Sequence, residues 1–162
     1  MEALTDLSKQ LIDAATKRGL KVITAESCTG GALSTLLSDT PGAGEAFFGG
    51  FVCYAKEYKE QILGVPAALI ERETAVSEAV ARAMAQAALE RSGCDLALAI
   101  TGVTGPKPDE DGNPVGLVHI AVALKDAEPR HAAHNLGDDT PGKICGLAVR
   151  QALVLALKAL GK

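Results

Sequence analysis

Tryptophan is absent from the 162-residue chain, and phenylalanine and tyrosine together make up only 3% of it, so the core has to be packed from Ala, Val, Leu and Ile. Sixteen Lys and Arg stand against 20 Asp and Glu, and a net charge of −4 lacks the basic surplus of general nucleic-acid binding. No apolar run approaches the roughly 18 residues of a membrane span, and the amino terminus reads as an amphipathic helix instead of a signal peptide. The expected location is therefore the cytoplasm, with no membrane partner. The four cysteines, Cys28, Cys53, Cys94 and Cys145, are scattered and form no C-x-x-C pair, which argues for reduced thiols over a disulfide framework or a zinc site. Among the three histidines, His131 and His134 lie in a strand-like segment that would point them to opposite faces, so no metal site is expected there.

What is present fits one globular domain spanning residues 1–162. A chain of this length buries about 70% of its unfolded surface and needs no disulfide or metal staple. Thr5 is placed to cap a first helix with Leu7, Leu11, Ile12 and Ala15 on one face, closed by Gly19. The apolar run Leu20 to Ala25 predicts a strand, Thr29 to Leu37 a helix, and the stretch Ser38 to Gly44 turns. Ala46 to Tyr54 predicts a second strand loosened by Gly49 and Gly50. Short helices are expected over Lys56 to Leu63 and Pro66 to Arg72, and Ser77 caps a long alanine-rich helix ending at Gly93. Asp95 to Thr101 predicts a buried strand that runs into a Gly/Pro/Asp-rich loop from Gly102 to Pro114. Val115 to Leu124 and Arg130 to Leu136 predict a hairpin, and Gly142 to Leu160 a final helix. The fold class that follows is α/β: a three-layer α/β/α sandwich around a mixed sheet with a late antiparallel hairpin.

Three constellations can carry chemistry. In Thr24-Ala25-Glu26-Ser27-Cys28-Thr29-Gly30-Gly31 a strand runs into a polar turn and then a helix, which places Ser27 where a nucleophile or an anion-binding hydroxyl is wanted, beside unpaired helical N–H groups. Gly30 and Gly31 let a ligand or a strand approach closely; the same pattern also suits a plain serine cap. Tyr54 and Lys59 flank the exit of the second strand. With no histidine in a credible position beside Ser27, lysine is the available base, which requires its pKa to fall from about 10.4 to roughly 7 to 8. Either residue could equally be an ordinary edge or helix-surface group. The third, Thr101-Gly102-Val103-Thr104-Gly105-Pro106, follows a buried strand, where a glycine-rich loop can present N–H groups to phosphate or can simply turn the chain into the hairpin. It is neither a Walker motif nor a dinucleotide fingerprint.

In order and with compatible spacing, Thr24 to Gly31, Tyr54 and Lys59 followed by Leu63-Gly64-Val65, Ala75-Val76-Ser77-Glu78, Thr101 to Pro106 and Pro114-Val115-Gly116 resemble the carboxy-terminal domain of the competence-associated protein CinA. The resemblance runs over nearly the whole chain. The stand-alone members of that family are nicotinamide-nucleotide amidases, and the resemblance implies such a stand-alone form. The implied reaction is deamidation of nicotinamide mononucleotide to nicotinate mononucleotide and ammonia, without metal or organic cofactor. It assigns Ser27 as nucleophile, Lys59 as its base and Tyr54 as a hydrogen-bonding partner of the same hydroxyl. N–H groups near Cys28 and Thr29, beside Gly30, are the candidate oxyanion donors, and the loop bearing Thr101, Gly102, Thr104 and Gly105 is the expected seat of the ribose phosphate.

One departure stands out: many relatives carry arginine after a Gly-Asp pair near the last helix, whereas this chain reads Gly137-Asp138-Asp139. Lys143 is a candidate replacement. Two other functions fit the same residues, a non-catalytic nucleotide-binding module and a competence- or DNA-damage-associated partner protein. The alanine-rich segment Ala79 to Leu89 could pack against a second copy, so a homo-oligomer is expected.

Overall fold

A computed structural model describes all 162 residues as a five-stranded mixed sheet with helices on both faces. The elements are α1 (Leu4–Lys17), β1 (Val22–Glu26), α2 (Ala32–Ser38), α3 (Ala43–Ala46), β2 (Phe47–Val52), and α4 (Lys56–Tyr58), which runs directly into a π-helical turn, Lys59–Leu63. There follow α5 (Ala67–Glu73), α6 (Glu78–Ser92), β3 (Leu96–Gly102), β4 (Leu117–Leu124), β5 (Arg130–Asn135) and α7 (Pro141–Ala159). The strand order is β2-β1-β3-β4-β5; β1 is parallel to both neighbours, and β4 is antiparallel to both β3 and β5. The three-layer sandwich and the late hairpin expected from the pattern are both present.

Alternation along β3 and β4 sorts the two layers. Leu96, Leu98 and Ile100 with Val118, Ile120 and Val122 face α1, α2 and α7, while Ala97, Ala99, Ala121 and Ala123 face α6. The small alanines of the sheet meet Ala81, Ala85 and Ala88 of α6, all fully buried, so an aromatic-poor sequence closes its core by near approach. Those three alanines are spent on the chain's own sheet, while Ala79, Ala83 and Ala87 of the same helix are only half-buried.

Several boundaries differ from the sequence pattern, each for a local reason. Thr5 lies inside α1, whose N-cap is Ala3 with no side-chain bond; Ser77 does cap α6, accepting from Val80 N. Helix α2 starts at Ala32 and not at Thr29, because Gly30 N bonds Ser27 O and Gly30 and Gly31 both adopt positive φ. The turn stretch after α2 closes with the short α3, and β2 ends at Val52. On the α6 side of the hairpin His119 stacks on His131, with Nδ1 and Nε2 2.9 Å apart, a pairing across strands that spacing along the chain does not reveal. No helix is long and apolar enough to cross a membrane.

Candidate active site

The carboxyl ends of the parallel strands β2, β1 and β3 converge on Ser27. Its N–H donates to Ile100 O at the end of β3, and Cys53 N donates to Glu26 O, so the turn after β1 is pinned from both neighbouring strands. Open α/β sheets place ligands at these strand ends.

Glu26 fixes the shape of the turn. Its carboxylate is fully buried and accepts four hydrogen bonds: from Thr29 Oγ1 and Leu33 N at 2.8 Å, from Ser34 N at 2.9 Å and from Ser34 Oγ at 2.6 Å. The first helical N–H groups of α2 are thus already taken by a charge, and the expectation that they stand open beside Ser27 is corrected. The amides of Cys28, Thr29 and Gly31 donate to no protein acceptor, and those of Cys28 and Thr29 follow Ser27 directly in the turn. Thr24 Oγ1 and Ser34 Oγ add a 2.6 Å contact under which Gly50 of β2 must pass, since a Cβ at Gly50 would collide with both hydroxyls.

Lys59 opens the π-helical turn and is 1% exposed. Its Nζ lies 2.8 Å from Ser27 Oγ, 3.0 Å from Cys53 O and 3.1 Å from Tyr54 O. No carboxylate is within ion-pair reach of it, and burial holds its pKa below the ordinary lysine value. A neutral amine fits this cage without rearrangement: two N–H groups serve the carbonyls of Cys53 and Tyr54, and the lone pair faces the Ser27 hydroxyl. Cys28, which follows Ser27 in the chain, is the opposite case, because burial pushes its thiol up to about 12 and disfavours the thiolate.

Tyr54 joins the site through its backbone. Its carbonyl lies 3.4 Å from Ser27 Oγ, while the residue is 72% exposed and its phenol makes no hydrogen bond. The resemblance-based expectation of a phenol bonded to the serine hydroxyl is therefore corrected; the ring instead stands at the wall of the cleft, the one aromatic side chain there.

That cleft, about 540 Å³, connects Ser27 and Lys59 to the loop after β3. Cys28, Thr101, Gly102, Thr104 and Gly105 line it, whereas Thr29 and Gly30 shape the turn from behind. Thr101 is 1% exposed and donates to Ala75 O at 2.8 Å, so its hydroxyl holds the wall in place and is not free for a ligand. Gly102 has no room for a side chain, as a Cβ would lie 2.7 Å from Val118 Cγ2. Lys143 does not line the cleft; it is exposed on α7 and pairs with Asp139 at 3.5 Å. Sequence reasoning passed over Glu26, and over Lys56, which ties α4 to the loop through Glu110 at 2.8 Å and Asp111 at 2.7 Å. No cluster of three or more His, Cys, Asp or Glu is arranged to hold a metal ion.

Fold and cleft together define an α/β-sandwich protein with a buried Ser–Lys pair at the carboxyl ends of its parallel strands. The family model of the CinA C-terminal domain matches residues 4–160, and the chain belongs to that family. It is 50% identical over 107 residues to a CinA-like protein of Geobacter sulfurreducens, covering 66% of this chain and 26% of that one. A CinA-like protein of Synechococcus is 45% identical over 139 residues, 85% of this chain and 33% of the relative. The chain thus spans about a quarter to a third of the length of these curated relatives. The crystal structure of the competence/damage inducible protein CihA from Agrobacterium tumefaciens superposes with a TM-score of 0.92 at 36% identity, over 100% of both chains.

Proposed function

We propose that the protein is an amidohydrolase that converts nicotinamide mononucleotide to nicotinate mononucleotide and ammonia, returning pyridine nucleotide to synthesis. The observation that carries this reading is the 2.8 Å contact between Ser27 Oγ and a buried Lys59 amine that lacks a counter-ion. A lysine kept for structure would be expected to hold a carboxylate or reach solvent; one desolvated against a hydroxyl is suited to take its proton.

In the proposed sequence Ser27 Oγ attacks the carboxamide carbon while Lys59 accepts the hydroxyl proton. The oxyanion that forms receives the free N–H groups of Cys28 and Thr29. Collapse breaks the C–N bond, Lys59 returns the proton to the departing nitrogen, and ammonia leaves. Water, deprotonated by Lys59, then cleaves the Ser27 ester and releases the carboxylate. Every proton passes through one amine, and no cofactor is drawn into the scheme. The exposed Tyr54 ring is suited to stack on the nicotinamide ring, which is a pyridinium cation when ribosylated.

The test is ammonia release from nicotinamide mononucleotide by the purified protein and its Ser27→Ala variant. The reading predicts turnover by the first and a loss of several orders of magnitude in the second, with an unchanged fold by circular dichroism. A wild-type protein that binds the nucleotide and releases no ammonia would instead be a nucleotide-binding module.

A further inference from the structure

A nucleotide monophosphate carries close to two negative charges, and the cleft that would hold it is rimmed by Glu57, Asp109 and Glu110. Three lysines line the same cleft: Lys56, Lys59 and Lys107. Lys59 is enclosed by Ser27 Oγ and the two carbonyls. Lys56 is held between Glu110 and Asp111, and those carboxylates push its ammonium up to about 12, so it is charged but already compensated. Lys107 forms no ion pair and is exposed.

The backbone around Lys107 is prepared for the same task. Pro106 and Pro108 flank it, so the residue on either side of Lys107 has a fixed φ and no N–H to donate, and Lys107 itself sits at a bend of the loop. The N–H groups of Thr104, Gly105 and Lys107 donate to no protein acceptor. Asp109, the nearest acidic neighbour in the loop, is occupied: Oδ1 accepts from Asp111 N and Asn113 N, and Oδ2 from Asn113 Nδ2. The loop therefore offers open donors and one cation without an ion-pair partner to the cleft that Ser27 and Lys59 also line.

We infer that Lys107, with the open N–H groups of Thr104 and Gly105, is the phosphate-selecting element of this cleft, so that the chain discriminates a nucleotide from its nucleoside. This rests on the amidase reading for its substrate and on the loop's own donors and charges for its chemistry. Lysine suits the position because a point charge on a flexible stem can reach a phosphate without fixed geometry.

The experiment compares nicotinamide mononucleotide with nicotinamide riboside, which lacks the phosphate, in wild type, Lys107→Ala, Lys107→Arg and Lys107→Glu. One charge-assisted contact corresponds to a preference of about tenfold or more. In Lys107→Ala, kcat/KM for the nucleotide is expected to fall about tenfold further than that for the riboside, through KM and not kcat. Lys107→Arg should restore most of the preference, Lys107→Glu should reverse more of it than alanine, and added salt should narrow the wild-type ratio. Equal losses on both substrates, or no loss on either, would overturn the inference.

Calorimetric titration of the Ser27→Ala protein with each compound separates this inference from the amidase reading. Phosphate-dependent binding that disappears in Ser27→Ala/Lys107→Ala upholds the phosphate site even if no ammonia is ever released. Equal affinity for nucleotide and nucleoside overturns it even in an active enzyme, and binding of neither overturns both readings.

Discussion

Lys59 Nζ donates to the backbone carbonyl of Tyr54 at 3.1 Å, while Tyr54 as a residue is 72% exposed and its phenol makes no hydrogen bond to Lys59 or Ser27. The side chain can therefore be altered without touching the hydrogen bonds that hold the amine. Tyr54→Phe is expected to keep kcat/KM for nicotinamide mononucleotide within about threefold, because the lost hydroxyl has no partner and the stacking face survives. Tyr54→Ala should raise KM about fivefold or more by removing the face. Steady-state ammonia assays decide it, and a loss of a hundredfold or more in Tyr54→Phe would return the phenol to the proton-transfer machinery.

The depressed pKa of Lys59 has a definite sign in the pH profile. Burial without a counter-ion disfavours the ammonium, so the neutral base is populated at a lower pH than for an exposed lysine. Under the proposed mechanism kcat/KM rises with pH through an apparent pKa below the ordinary lysine value of 10.5 and is lost as pH falls through it. Lys59→Arg keeps a cation that cannot yield its proton, so it should be nearly as inactive as Lys59→Ala. An active Lys59→Arg enzyme would mean that position 59 supplies charge and the base lies elsewhere.

Cys28 competes with Ser27 only on paper. A thiol whose pKa is about 12 carries almost no thiolate near neutrality, and thiolate is the nucleophilic form. Cys28→Ala should thus retain most of the ammonia-releasing activity, and neutral alkylating reagents should modify Cys28 slowly in the folded protein. Parallel loss of activity in Cys28→Ala and Ser27→Ala would overturn the assignment of the nucleophile.

Much of this frame could be read without coordinates, and the reasons are local. Alternating Leu and Ala in Leu96 to Ile100, the Ser77 cap and the hairpin around Lys125 to Pro129 are all specified within a few residues. The Ser27, Lys59 and loop positions were legible as residue types in order along the chain. What was not legible depends on which atom faces which. Nothing in the sequence says that Tyr54 presents its carbonyl, that a π-helical turn buries Lys59 where an α-helix pattern suggests a solvated face, or that Glu26 reaches N–H groups seven and eight residues onward. A strand-end glutamate is ordinarily exposed, and only the tight turn at Gly30 and Gly31 folds α2 back over it.

The stacked histidines give the chain an acid-sensitive seam. His119 and His131 both have pKa values below the ordinary histidine value, chiefly through desolvation, with Glu78 acting in the opposite direction. A histidine whose folded pKa is depressed stabilises the fold fully above the unfolded value and loses that stability as pH falls through about 6.5 toward the folded value. The thermal stability of the wild type should therefore fall below about pH 6.5. The His119→Gln/His131→Gln double variant should show a shallower fall over the same window, whatever its absolute stability. An identical pH slope in the variant would place the acid sensitivity in other groups.

Glu26 provides the sharpest test of how the turn is held. Its carboxylate accepts four hydrogen bonds while fully buried, and Glu26→Gln replaces one acceptor oxygen with an NH₂ group that must face donors. Either Thr29 Oγ1 and Leu33 N, or the N–H and hydroxyl of Ser34, then lose their acceptor on that side. One or two buried donors left unpaired cost about 2–4 kcal/mol. For a chain of this size that corresponds to a fall in Tm of roughly 5–15 °C. Because the same bonds set the path from Ser27 to Gly31, the variant should also lose turnover at temperatures where it is fully folded, through kcat more than KM, as the free N–H groups of Cys28 and Thr29 shift from their oxyanion position. Calorimetry paired with ammonia kinetics at 15 °C separates the two effects. A Glu26→Gln protein with unchanged Tm would show that the turn is held by its strand-end hydrogen bonds, Ser27 N to Ile100 O and Cys53 N to Glu26 O, without help from the carboxylate.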